Sequence, residues 1–225
     1  MQTPRPKSIV QCERIMCIND VPPEHVTRMF AWLKHLYQAP SRIYHNWEYI
    51  EEMLLAAAHR VPAKINLAQY YAILFHDAVY EPGIKGSEAA SVKCLRLFLK
   101  SEREHGLWVS PQIILRASRI IMDTINHQPT GTDSSVMLDL SLMRLAVDYD
   151  AFLSYANMVE EEYSVIVGHE DFMVGRLKFF QQLISKSRLF YTSLGEKKWE
   201  LRARGNIQKY LLEHRGYIEH AKVLH

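Results

Sequence analysis

Ala72-Ile73-Leu74-Phe75-His76-Asp77-Ala78-Val79-Tyr80 is an apolar run that stops at a histidine and an aspartate side by side. The segment that carries it, residues 67–79, is apolar on nearly every side, which predicts a buried central helix launched from Asn66 as N-cap and closed before Pro82-Gly83. A chain with such a helix has to lay other helices around it. Burying an imidazole and a carboxylate at its end is costly unless something pairs with them. A divalent cation is the simplest partner, and a hydrogen-bonded core histidine followed by a helix-terminal turn former is the structural alternative.

The flanking sequence supplies those other helices. Residues 24–37 place Val26, Phe30, Leu33 and Tyr37 at helical spacing, and residues 44–60 do the same with Trp47, Ile50, Leu54 and Ala57 before Pro62 closes the pattern. Ser87 reads as the cap of a helix over 88–104, and Ser110-Pro111 as the start of one running to about His127, stopped by Pro129 and Gly131. A polar loop at 130–135 leads into a helix over 137–146, Asp148 or Asp150 caps another through residue 167, and helical patterning continues over 170–185 and 196–214. No segment sustains two-residue alternation, and no glycine-rich phosphate loop or internal repeat is visible. The expected class is all-α.

With 225 residues, 48% of them hydrophobic, the chain can bury a real core as a soluble globular protein. Its net charge of +2 gives no strong nucleic-acid signal, and no apolar window is long enough to span a bilayer. Cys12, Cys17 and Cys94 are odd in number and form no C-x-x-C pair, which argues against disulfides and thiolate zinc and fits a reducing cytoplasm. Residues 1–23 hold four prolines and read as an extended N-terminal arm. Residues 24–185 read as the main domain, and 186–225, with nine Lys or Arg against four Glu, as a helical extension packed on it.

Three pieces surround the central stretch. Arg42-Ile43-Tyr44-His45-Asn46 puts a histidine at the start of one helix, and if that helix and the central one are antiparallel neighbours, His45 comes toward His76 and Asp77. Asp139 lies inside the apolar run Met137-Leu138-Asp139-Leu140, where an unpaired carboxylate is again costly. Two imidazoles and two carboxylates suit manganese, ferrous iron, cobalt, zinc or magnesium.

The order H … HD … D on a helical chain resembles the HD-domain metal-dependent phosphohydrolase superfamily. More closely, Arg42-x-Tyr44-His45-Asn46, Phe75-His76-Asp77-Ala78-Val79-Tyr80, Glu88-x-x-Ser91, Thr124-x-x-His127, Glu162-Tyr163, Gly175-Arg176 and Ala203-Arg204-x-Asn206 resemble its poorly characterised branch of predicted HD phosphohydrolases. The resemblance covers residues 24–206 and implies a single HD-like helical bundle with His45, His76, Asp77 and Asp139 as ligands of a divalent ion. Two departures stand out. Tyr49 occupies the place of a second histidine, and Ser141 replaces the second aspartate of a D-x-D-L motif, which favours one ion over two.

On this reading the substrate is a small phosphorylated metabolite, most plausibly a nucleotide, hydrolysed by water that the ion makes acidic, with Asp77 in the catalytic centre. Glu88 is the candidate to position water or pass a proton, with a favourable charge at a helix start as its structural alternative. His127 is a candidate to hydrogen-bond the substrate or act as general acid, against the commoner role of a lone histidine as a satisfied helix-end residue. Arg42 and Lys85 are candidates for substrate phosphate. A cyclic or signalling nucleotide phosphodiesterase and a non-catalytic metal- or nucleotide-binding regulator are the competing functions. The sequence does not fix the oligomeric state, and a homo-oligomer is compatible with it.

Overall fold

A computed structural model describes residues 10, 12–14, 16, 20–59, 65–164 and 166–217. Among these every regular element is helical, as the periodicity predicts, and no helix is long and apolar enough to cross a membrane. Of the expected extended arm, residues 1–9 lie outside the described residues. Val10, Cys12, Glu13, Arg14 and Met16 are helical rather than extended, and Cys12 and Met16, four apart and so on one helix face, are buried. The chain divides into two compact units, 1–140 and 141–225, with the division inside a helix rather than near residue 185.

The first unit comprises α1 (Pro23–Tyr37), α2 (Trp47–His59), α3 (Leu67–Phe75), α4 (Ser87–Glu104), α5 (Pro111–Asp123) and most of α6 (Thr132–Leu142). All nine residues of α3 are buried, and it packs against α2, α4 and α5. Its start is doubly fixed. Asn66 Oδ1 accepts the Gln69 N–H while Gln69 Oε1 accepts the Asn66 N–H, the reciprocal capping box that satisfies two otherwise orphaned donors. The side-chain amides of the same two residues donate to Asp133 Oδ1 and to the Asp133 carbonyl, anchoring the first turn of α6.

α3 ends at Phe75, four residues short of the expected 79, because side chains remote in sequence capture the backbone that would continue it. Arg42 Nη1 and Nη2 donate to the Asp77 and Ala78 carbonyls at 2.6 and 3.1 Å. Ser91 Oγ accepts the Val79 N–H and donates to the Val79 carbonyl, both at 3.1 Å. Four polar backbone groups are thereby satisfied outside the helix ladder. α4 ends where Gly106, at φ 89°, allows Leu107 N–H to reach the Glu102 carbonyl and Gly106 N–H to reach that of Arg103, a Schellman closure.

The second unit holds a 3₁₀ turn (Met143–Ala146), α7 (Tyr149–Tyr163), α8 (His169–Ser185), α9 (Ser193–Lys198) and α10 (Glu200–Glu213). α10 packs against the 3₁₀ turn, α8 and α9. Phe152, Phe180 and Tyr210 meet in the core with ring centroids 5.3–5.9 Å apart. Asn206 Nδ2 donates to the Leu145 and Val147 carbonyls, each at 2.9 Å. Arg204 holds Glu200 and the Ile184 and Lys186 carbonyls, so its ion-pair partner is one helical turn away in its own helix.

Candidate functional site

His76 is the C-cap of α3 and only 3% exposed. Its Nδ1 lies 3.0 Å from the Ile73 carbonyl. A carbonyl oxygen only accepts, so Nδ1 carries a proton, and Nε2 presents a lone pair in the neutral ring or a second N–H in the imidazolium. Nε2 is buried and nothing meets it in hydrogen-bonding geometry, although Asp77 Oδ2 is 2.9 Å away. A contact that short between a ring nitrogen and a carboxylate oxygen needs a cation, either the proton of an imidazolium or a metal ion. The electrostatics agree: burial pushes His76 down, but the Asp77 carboxylate outweighs it and holds the imidazole above its ordinary value. Burial likewise pushes Asp77 up, yet His76, then His45 and Arg42, hold its carboxyl well below the usual range.

His45 sits in the bend before α2, half-buried, its ring 4.2 Å from that of Tyr80 and 4.8 Å from that of Tyr44. Tyr49, one turn into α2, is buried and presents its ring to both histidines, 6.1 Å from His45 and 5.9 Å from His76. The start of α2 therefore does lie beside the end of α3. Arg42 joins them: besides the Asp77 and Ala78 carbonyls it donates to that of His45 at 3.3 Å, and its guanidinium lies over the rings of Tyr37 at 4.9 Å and Tyr80 at 5.8 Å. Three of its five N–H donors go to carbonyls, so Arg42 clamps the site's backbone, and a phosphate contact would fall to Nε and the remaining Nη2 donor.

The remaining candidates are placed less centrally. Asp139 is 1% exposed within α6. Glu88 occupies the first turn of α4, half-buried, where its charge complements the helix dipole. Lys85 is exposed in the turn before Gly86. His127 follows α5 at φ 45°, a left-handed conformation that fits a chain leaving a helix. Among the described residues no three His, Cys, Asp or Glu side chains are gathered so as to hold a metal ion. The structure brings His76 and Asp77 together and His45 near them, and it does not assemble four ligands.

Three contributors to this geometry lack a sequence-assigned role. Ser91 holds the Val79 backbone. Tyr37 donates to the Leu74 carbonyl at 3.1 Å from a fully buried hydroxyl whose pKa burial drives up. Ile73 sets the His76 tautomer through its carbonyl, which no side-chain motif reveals. Ser91 shows in the sequence only as a member of the Glu88-x-x-Ser91 motif, with no role attached, and Tyr37 only as the end of an apolar stripe.

No protein-family model matches the chain, and no curated protein or solved structure matches it either. What fold and site define is an all-helical protein, among its described residues, with a buried histidine and a part-buried aspartate paired at the end of its central helix.

Proposed function

We propose that the chain is a metal-dependent phosphohydrolase of the HD type, acting on a small phosphorylated metabolite, most plausibly a nucleotide. The supporting observation is the pairing of His76 and Asp77 at the end of α3, with His76 Nδ1 on the Ile73 carbonyl and Nε2 2.9 Å from Asp77 Oδ2. An imidazole with its Nδ1–H on a main-chain carbonyl and its Nε2 lone pair beside a carboxylate oxygen is how metal-binding histidines are oriented. Ligand atoms about 2.0–2.2 Å from a shared ion and at right angles to each other stand roughly 2.8–3.1 Å apart, a range that includes the His76–Asp77 separation of 2.9 Å. His76 and Asp77 would hold the ion, and His45 and Asp139 complete the proposed set.

A bound divalent cation would supply an acidified water and polarise a phosphoryl oxygen. The protein's own share is positional. Ile73 holds a proton on His76 Nδ1, Arg42 fixes the Asp77 turn, Tyr49 packs beside both histidines and Tyr80 beside His45. Glu88 and His127 stand as the proposed proton-handling groups and Lys85 as a phosphate contact. The dispersed donors, with Tyr49 and Ser141 in place of the expected histidine and aspartate, favour a second reading in which the chain binds metal or nucleotide as a regulator without turnover.

The test is elemental analysis of chelator-stripped protein reloaded with manganese, iron, cobalt, zinc or magnesium, followed by phosphate release over a nucleotide panel. We expect one ion per chain and phosphate release, with metal affinity reduced about 10–100-fold or more in His76→Ala and Asp77→Ala. Retention with no release from any substrate would leave the regulator. Failure to retain any ion, or retention indifferent to both substitutions, would overturn the proposal.

A further inference from the structure

We propose that the groove between the second half of α4 and the start of α5 is a binding site for a nucleotide-type ligand, a planar ring joined to two or more phosphates. The groove encloses about 510 Å³, and none of the residues proposed for the metal centre lines it. Arg96, Lys100 and Arg103 form one wall at i, i+4 and i+7, which puts them on a single face of α4 over roughly 10 Å of its length. All three are exposed, and none makes an ion pair among the described residues. No carboxylate lines the groove. Stacking three like charges at these spacings weakens a helix. The dipole at the helix end rewards Arg103 but not Arg96 in the middle, so the stripe is better explained by an anion that lies across it.

The opposite side is apolar and aromatic. Trp108 is 66% exposed and Leu115 55%, beside a floor that includes the buried Leu99. An indole held open next to three cations offers a stacking face for a ring while the guanidiniums fork onto phosphate oxygens. The size decides between occupants: a concavity of this volume is that of a small-molecule site, whereas a protein partner needs about 800 Å² of surface on each side. The ligand is therefore a free nucleoside di- or triphosphate rather than a docked chain.

Calorimetric titration of the full-length protein with ADP, in chelator so that no metal centre is loaded, tests this. Pyrophosphate and adenosine serve as half-ligands. ADP should bind, and bind about tenfold or more tightly than either half. Affinity should fall as salt rises. The triple variant Arg96→Gln/Lys100→Gln/Arg103→Gln should lose about tenfold or more, and Trp108→Ala should weaken ADP but not pyrophosphate. These side chains are exposed, so circular dichroism of both variants should match the parent. His76→Ala should leave ADP binding unchanged, which separates this site from the proposed catalytic centre: absence of metal or turnover there does not alter the result here. No ADP binding, binding indifferent to the triple substitution, or tighter binding of phosphatidylserine vesicles or single-stranded oligonucleotide than of ADP would overturn it.

Discussion

Replacing Arg42 by alanine separates a backbone clamp from a substrate ligand. The guanidinium donates to the carbonyls of Asp77 at 2.6 Å, Ala78 at 3.1 Å and His45 at 3.3 Å, and lies over the Tyr37 and Tyr80 rings. Hydrogen bonds to a charged group contribute about 1.5–3 kcal/mol each. The site is half-buried, so water can reach part of what Arg42 leaves, and the two shorter bonds are taken at the low end, about 3 kcal/mol together. Loss of the ring contacts adds about 0.5 kcal/mol. For a chain of this length, about 3.5 kcal/mol corresponds to roughly 7–14 °C in Tm. Thermal unfolding followed by circular dichroism should show that shift in the first transition of Arg42→Ala, and metal retention at His76–Asp77 should fall with it. Arg42→Lys should recover only part, because an ammonium cannot fork between carbonyls on two residues. An Arg42→Ala protein that melts within about 2 °C of the parent, and differs only in KM for a phosphate ester, would refute the clamp and restore the phosphate-binding role.

Other perturbations test other parts of the fold. Glu102 is nearly buried and accepts from Arg28 and His25; burial pushes its carboxyl up, but those hydrogen bonds prevail and hold it below its ordinary value. Its contribution is therefore complete above the ordinary carboxylate pKa and is lost as pH falls through the lower folded value, so urea midpoints should drop on acidification. Glu102→Gln should flatten that acid limb, and an unchanged pH profile would disprove the linkage. In the second unit, Asn206→Ala strands the Leu145 and Val147 carbonyls that now share one amide. It should cost about 1–3 kcal/mol in chemical denaturation, and a change below about 0.5 kcal/mol would show that water replaces the amide there.

The helices were legible because their signals are local. Ser110-Pro111 does open α5, with Ser110 Oγ accepting the Ile113 N–H, and Asn66 does cap α3. Their ends were less legible where distant side chains intervene. The His76 ring takes the Ile73 carbonyl and Tyr37 that of Leu74, while Arg42 and Ser91, 35 and 12 residues away from the groups they hold, fix the backbone beyond. α6 starts at Thr132, five residues ahead of the expected 137, because its polar first turn is anchored elsewhere. Asp133 pairs with Arg116 and accepts from Asn66, and Ser134 donates to Asp123. The single helix expected over 196–214 is split at Trp199, whose ring packs on Phe190 while Thr192 caps the separate α9.

The candidate site was legible to the same extent and failed for the same reason. Adjacency in sequence guaranteed that His76 and Asp77 would share a helix end, and the apolar run guaranteed their burial. What no motif encodes is the direction of the lone pairs, which follows from the Ile73 carbonyl three residues earlier fixing the ring. That carbonyl leaves Nε2 facing the Asp77 carboxylate oxygen 2.9 Å away. A proton on Nε2 makes the contact an imidazolium–carboxylate pair, which the raised His76 and lowered Asp77 values favour. A metal ion taking the place of that proton is the proposed alternative. The buried Tyr49 ring lies 6.1 Å from His45 and 5.9 Å from His76, where the resembled branch carries another imidazole, and would leave fewer protein donors around an ion bound as proposed and more places for water or substrate oxygen. Metal binding on that reading would be weak and exchangeable, so reloading with excess ion belongs in any test of activity.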